Sequence, residues 1–230
     1  MSQSLSARAG RLVLCAVVVL TAHITTSQAR AADTEKRVFS ARIDNKQAGK
    51  YIMTTSQQKD GSVLLDADAD IDVRFYLIKY KYKLRDMEVW HNGRLVRLES
   101  STNDDGKQYK VAATATASGL SVVVNGYPHP TPSPADVWTT TYWHLPAPAN
   151  RKQTMDLLDV DTGKDIKSGF RFVAMQQLNV AGKAQNCSLY TVQGGGLDVK
   201  LWYDAQDRLV REESVEDGHT LVLELRDIVP

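Results

Sequence analysis

The chain has 230 residues, with 28 Lys and Arg against 27 Asp and Glu, 43% hydrophobic residues, 7 Pro and 2 Cys. The even charge excludes a protein that binds nucleic acid by neutralising many phosphates. Two cysteines are too few for a disulfide scaffold, and the periodic apolar content is too high for a disordered chain.

The N-terminus reads as a secretory signal peptide. Arg8 and Arg11 precede the continuous apolar run Leu12 to Leu20, and Ala29-Arg30-Ala31 places small residues where a signal peptidase cuts. The run is too short to span a bilayer, and Cys15 sits in its middle rather than at a lipoprotein cleavage site, so release into the periplasm is expected, with no transmembrane segment left. With no Arg-Arg pair before the run, the general secretory route is expected. Removing 31 of the 230 residues leaves 199, with 25 positive and 27 negative side chains: one sizeable domain, faintly acidic. Cys15 leaves with the signal, so Cys187 has no internal disulfide partner. It is either a reactive thiol or intermolecular bridge, or a buried, inert Cys on an apolar strand face, the more usual fate of an unpaired Cys.

The mature chain is predicted to be all-β. Turn signals recur at short intervals, at Asn45 to Gly49, Lys59 to Gly61, His91 to Gly93, Asn103 to Gly106, Asp161 to Gly163, Gly194 to Gly196, Asp204 to Asp207 and Asp217-Gly218. Between them lie alternating runs such as Arg37 to Asp44, Ser62 to Arg74, Lys79 to Trp90, Leu95 to Ser101, Gln108 to Ala117 and Leu221 to Leu225. Short strands joined by hairpins make a single, strongly curved antiparallel meander, a half-barrel or open barrel. The rhythm breaks at Tyr127 to Asn150, where Pro128, Pro130, Pro132, Pro134, Pro146 and Pro148 flank Ala135 to His144; this predicts a long loop enclosing one short helix.

One hairpin is specified residue by residue. Asp66, Asp68, Asp70 and Asp72 alternate with Leu65, Ala67, Ala69, Ile71 and Val73, and Lys79 to Arg85 alternates in the same way. A reversal at Phe75 to Ile78 pairs Asp72 with Lys81, Asp70 with Lys83 and Asp68 with Arg85, while Val73, Ile71 and Ala69 meet Tyr80, Tyr82 and Leu84. A slip of one residue would mix charged and apolar faces. The Asp stripe is not a calcium loop: counting from Asp66, the sixth and twelfth positions are Ile71 and Leu77 where Gly and Glu are needed. The apolar tip Phe75-Tyr76-Leu77-Ile78 either packs beneath the Pro-rich loop or forms a rim that touches lipid, ligand or protein. An internal echo, Val89-Trp90-His91-Asn92 with Arg94 to Ser100 and Leu201-Trp202-Tyr203-Asp204 with Arg208 to Ser214, predicts two similar hairpins in one sheet.

The signal peptide, the D-x-D-x-D-V run Asp68 to Val73, Tyr80 and Tyr82, the W-x-x-G-x-L stretch Trp90 to Leu95, Tyr142-Trp143 and Leu201 to Asp204 together resemble an uncharacterised family of exported proteins of Gram-negative bacteria. The resemblance covers nearly all of the mature chain and implies no catalytic residue. More loosely, the meander is similar to the half-barrel of periplasmic lipoprotein carriers, which implies a bent sheet holding an acyl chain beneath a lid.

Catalytic motifs are thin. G-x-S-x-G, H-E-x-x-H, C-x-x-C and a phosphate loop opening a helix are all missing from the sequence, and His91, His129, His144 and His219 share no metal-ligand spacing. Neither a metal nor a cofactor is expected. Asp86 and Glu88 share a strand face with Tyr82 and Trp90; they are either raised-pKa acids in an aromatic pocket or the point where that face meets water. The reading that follows is a soluble, non-catalytic periplasmic binding or carrier protein for an apolar small molecule or lipid, with Tyr80, Tyr82, Trp90 and Trp202 lining a concave face covered by Tyr142 and Trp143. The alternative is an envelope structural protein with a filled core and a protein partner.

Overall fold

A computed structural model describes residues 34–75, 78–216 and 218–229. The expected signal peptide and the centre of the apolar tip, Tyr76-Leu77, lie outside the described residues, as do the side chains of Phe75 and Ile78. The strands run β1 Thr34–Ile43, β2 Lys46–Gln57, β3 Val63–Phe75, β4 Ile78–His91, β5 Arg94–Asp104, β6 Lys107–Thr116, β7 Gly119–Val124 and the two-residue β8 Tyr127–Pro128. After the Pro-rich segment come β9 Trp138–Thr139, β10 Thr154–Leu158, β11 Asp165–Val180, β12 Lys183–Gly194, β13 Leu197–Tyr203, β14 Leu209–Glu216 and β15 His219–Val229.

All belong to one sheet, in the order β8 to β1 and then β15 to β9, so two meanders meet where β1 pairs with β15. Every pairing is antiparallel except that of β9 with β10. The sheet does not close by strand pairing; its ends are β8 and β9.

The alternation read from sequence sets the register of β3 on β4. Asp72 stands opposite Lys81, Asp70 opposite Lys83 and Asp68 opposite Arg85, with ion pairs of 3.5, 3.1 and 3.7 Å, while Val73, Ile71 and Ala69 face Tyr80, Tyr82 and Leu84. These exposed pairs add little energy; they specify the register by making its alternatives worse. The same alternation propagates across the sheet. Leu201, Glu212, Leu223, Ala41, Gly49, Ile71 and Tyr82 stand side by side on the inner face, and Trp202, Arg211, Glu224, Ser40, Lys50, Asp70 and Lys83 on the outer.

Both echoed hairpins carry a β-bulge at the same place: Val96 is unpaired between Leu95 and Arg97, and Val210 between Leu209 and Arg211. The equivalent of Trp90 is therefore Tyr203, not Trp202. The expected turn at Asn45 to Gly49 is tighter than its sequence suggests. Asp44 and Asn45, both with positive φ, make it alone, and Gly49 lies within β2 because a Cβ there would fall 2.0 Å from the Asp70 carbonyl oxygen. The helix expected over Ala135 to His144 is absent. The one helical turn among the described residues is 3-10, Pro148–Asn150, at the far end of the Pro-rich segment. Residues 135–144 instead carry β9 and a turn, since Thr139, Thr140 and Thr141 are β-branched and use their hydroxyls in tertiary hydrogen bonds. Cys187 is buried. Among the described residues no helix is long and apolar enough to cross a membrane.

Gly49→Ala is expected to cost about 2–3 kcal/mol, as overpacking against fixed backbone does, measured as a lower urea midpoint; an unchanged midpoint would show that β2 and β3 are not in this contact.

Candidate functional site

The segment between β8 and β10 bridges the open sheet and builds the site. At one edge Leu120 and Ser133 exchange backbone hydrogen bonds of 2.9 and 2.8 Å, and the Ser133 hydroxyl donates to Asp165 at 3.0 Å. At its centre the segment is fastened to β4 by Glu88. Oε2 of this fully buried carboxylate accepts from Trp90 Nε1 and from Thr139 Oγ1 (3.2 Å), and Oε1 accepts from Thr141 Oγ1 (3.0 Å). Further along, the buried Arg37 of β1 donates from Nη1 to the carbonyls of Trp143 (2.9 Å) and Leu209 (3.3 Å) and pairs with Glu35 at 3.3 Å. Tyr142, between the two anchors, has φ 48°, a conformation that costs a bulky residue about 1 kcal/mol or more. It is held there by the Tyr203 hydroxyl on its carbonyl (3.0 Å) and by Trp138, whose ring lies 5.0 Å from its own.

Beneath this segment is a cavity of about 340 Å³. Trp90, Trp138, Trp143, Val63, Val137 and Met155 give it an apolar lining, and Asn92, Asp136, His144, Asn150, Lys152 and Asp156 a polar rim. Trp90 and Trp143 meet edge to face at 6.1 Å, and the Trp143 and His144 rings are 5.1 Å apart. Burial holds the His144 imidazole below its ordinary pKa.

Of the six residues read from sequence as lining, Trp90 and Trp143 come together here. Tyr142 lies behind the wall, packed on Trp138, with its hydroxyl buried and unpartnered. Tyr80 and Tyr82 share the inner face of β4 but lie on the order of 27 Å or more along it from Trp90. Their hydroxyls are committed to Asp104 (2.9 Å) and Asp161 (2.7 Å). Trp202 is on the opposite face, where its indole donates to Gln176 at 2.8 Å and the Arg211 guanidinium lies 5.2 Å from the ring centre. The expected placement of Trp202 in the concave lining is thus corrected: alternation along β13 puts Leu201 and Tyr203 on the inner face and Trp202 between them on the outer. Trp138, His144 and Met155 were not read as lining residues, and only the clustering of Trp138 with Tyr142 and Trp143 hinted at them.

The inner face is unusually acidic. Asp86 and Glu88 do share it with Tyr82 and Trp90, as the alternation implied, and both are buried rather than at the water's edge. Burial raises the Glu88 carboxyl to about 7 against the pull of its hydrogen bonds from Trp90, Thr139 and Thr141. Asp86, with neither oxygen hydrogen-bonded, is raised well above the carboxylate range by burial and by the charge of Glu88. Glu212 is pushed to about 8 by burial and then by Glu216 and Asp161. Asp161 belongs to the turn between β10 and β11, which enters the interior: Val160 accepts from the Ser100 hydroxyl, and Asp161 accepts from Thr102 at 2.9 Å as well as from Tyr82. Gly163 permits this approach, since a Cβ would meet Val124 at 2.5 Å. Burial and Asp159 raise Asp161 to about 6. Among the described residues no three His, Cys, Asp or Glu side chains are grouped to hold a metal ion.

The sequence profile of a family described as a domain of unknown function (DUF6134) matches residues 39–226. In fold the chain is similar to a beta-barrel-like protein of the domain of unknown function DUF1849 from Brucella abortus, solved as a crystal structure. The TM-score is 0.63 at 10% identity, over 85% of this chain and 96% of that one. A comparison with curated proteins finds no match.

Each raised carboxyl binds its proton more tightly folded than unfolded, where the values are 4.5 for Glu and 3.8 for Asp. Their stabilising contribution is complete below about pH 4 and is lost as pH rises through about 6, 7 and 8 in turn. The melting temperature is therefore expected to rise as pH falls from 8.5 to 5.5, and Glu212→Gln to stabilise the protein by roughly 2–4 kcal/mol at pH 8.5. Calorimetry showing a melting temperature that falls over this range would contradict the assignment.

Proposed function

We propose that this chain, which belongs to the DUF6134 domain family, is a non-catalytic periplasmic binding protein that carries a small amphipathic ligand between Trp90 and Trp143. The cavity beneath the Pro-rich segment carries this reading, and the signal-like N-terminus supports the location. Its volume of about 340 Å³ lies at the small end of the ~300–1,000 Å³ range of ligand pockets. It suits one short alkyl or aromatic group against the tryptophans, with a polar head on Asn92, Asn150, Lys152 and Asp156. A large multi-chain lipid does not fit it. The secluded carboxyls do not favour catalysis in this cavity, because Asp86 and Glu88 are buried and neither lines it.

A second reading, an envelope interaction protein, draws support from how fully much of the inner face is packed. Phe170 stacks on Tyr190 at 4.9 Å and meets Trp138 at 5.5 Å.

Native mass spectrometry with organic extraction, on protein purified from the periplasm without detergent, separates the two. The carrier reading expects a stoichiometric small apolar or amphipathic mass, lost in Trp143→Ala while the variant keeps its fold. A clean apo mass in the wild type, with Trp143→Ala costing the ~3–5 kcal/mol of a filled core, would favour the interaction protein.

A further inference from the structure

The rim of the cavity beneath the Pro-rich segment holds hydrogen-bonding capacity that the protein leaves unused. On the inner face Tyr80, Tyr82, Thr102, Thr139 and Thr141 are all committed to protein partners. Among the described residues the rim side chains of Asn92, Asn150 and Lys152 make no such bond. Asp136 and Asp156 each give one oxygen to a cation, Arg94 Nε at 3.0 Å and Lys167 Nζ at 3.5 Å, and keep the other. We propose that the ligand of this pocket is a neutral sugar, one pyranose ring laid with a C–H face on the tryptophans and its hydroxyls on the rim, alone or as the head of a glycoside. The inference rests on the reading of that cavity as a binding site and narrows its amphipathic ligand to one chemical class.

Charge decides against the ionic alternatives. Arg94 and Lys167 already neutralise the two carboxylates, so what these offer is acceptor lone pairs rather than an uncompensated negative field. A cationic ligand would meet Lys152 with no unpaired acid to offset it, and an anionic ligand would meet both carboxylates. Burial holds His144 below its ordinary pKa, which leaves it uncharged at neutral pH. The groups left to a ligand are donors and acceptors in mixture, amides, carboxylate oxygens and one ammonium, and the neutral group that serves both kinds is a hydroxyl.

The floor of the cavity asks for the opposite chemistry. Trp90 gives its indole N–H to Glu88, and Trp138 gives its own to the His144 carbonyl at 3.2 Å, so both rings offer the cavity carbon surface without a free donor. Trp143 is half-buried and retains surface for a ligand to cover. The electron-rich face of an aromatic ring attracts weakly polarised C–H groups. A pyranose combines such C–H faces with a girdle of hydroxyls, whereas an alkyl chain would satisfy the tryptophans and leave the rim unmatched. The rim is also fixed in place: Asn150 ends the 3-10 turn, and its Nδ2 lies 4.0 Å from where a Cβ on Gly93 would stand. A volume of about 340 Å³, at the small end for ligand pockets, suits one ring rather than a long oligosaccharide.

The test measures binding of the methyl glycosides of D-glucose, D-galactose, D-mannose and N-acetyl-D-glucosamine to dialysed protein from the periplasm, by tryptophan fluorescence and saturation-transfer NMR, beside the apolar probe N-phenyl-1-naphthylamine. At least one glycoside is expected to bind, with saturation strongest on the protons of one ring face. Its affinity is expected to stay constant between about 0.05 and about 0.5 M salt, a range over which a charged ligand is screened. Trp143→Ala is expected to weaken glycoside and probe alike by about tenfold or more. Asn150→Ala, at an exposed position, is expected to weaken the glycoside by about three- to tenfold, as loss of one hydrogen bond does, and to leave the probe unchanged.

Probe binding that depends on Trp143 while none of the glycosides binds would overturn the sugar and keep the pocket. Choline, glycine betaine or hexanoate binding in their place, with an affinity that falls with salt, would do the same. Glycoside and probe affinities both unchanged in Trp143→Ala, or no binding of either to the wild type, would refute the pocket itself. If Trp143→Ala fails to fold, Asn150→Ala decides: an equal loss for glycoside and probe, or no loss for the glycoside, overturns the inference.

Discussion

A curved sheet whose two ends do not pair must hide those ends, and here the task falls to the segment between β8 and β10. The whole interior depends on how that segment is fastened. It buries Val137, Trp138, Tyr142 and Leu145, and it is also held through polar contacts from opposite sides: Glu88 of β4 contacts Thr139 and Thr141, and Arg37 of β1 donates to the carbonyl of Trp143. Both anchors are buried, so each contact must offset a desolvation cost of several kcal/mol. Only multiple, well-directed hydrogen bonds do so. That explains why Glu88 accepts three and why Arg37 donates to two carbonyls while its charge is paired with Glu35.

The same closure accounts for the raised carboxyls. Fastening the segment excludes water from the inner face, and the β10–β11 turn excludes more by seating Val160 and Asp161 against Ser100 and Thr102. Asp86, Glu88, Asp161 and Glu212 are then left in a medium where their neutral forms are favoured. Acid therefore favours the closed fold, because each of these groups binds its proton more tightly when buried.

What the sequence made legible follows from the range of the interactions involved. The β3–β4 register was readable because charge and apolarity alternate together on adjacent strands, and Asp86 and Glu88 followed onto the inner face by the same parity. Parity fails at a bulge. The unpaired Val210 turns Glu212 inward, from a run whose Arg and Glu were expected outside. Trp202 differs for another reason: the echo aligns it with Trp90, whereas beside the bulge it is Tyr203 that occupies that place. The extended course of 135–144, with Pro at both ends, was hidden because its partners are distant: Glu88 lies more than 50 residues away in sequence and Arg37 more than 100. Local propensity cannot register such partners, and short helix and strand look alike there.

The central claim is that residues 136–145 form the closing wall of the domain rather than a surface loop, and hydrogen exchange read by mass spectrometry tests it most directly. Thr140 donates its amide to Leu158 and Tyr142 to Thr139, and Leu145 to Asp207. The amides of this peptide are expected to exchange as slowly as those of residues 64–74 in β3, opening only with the domain. Exchange within seconds in 136–145, while β3 remains protected, would contradict the account.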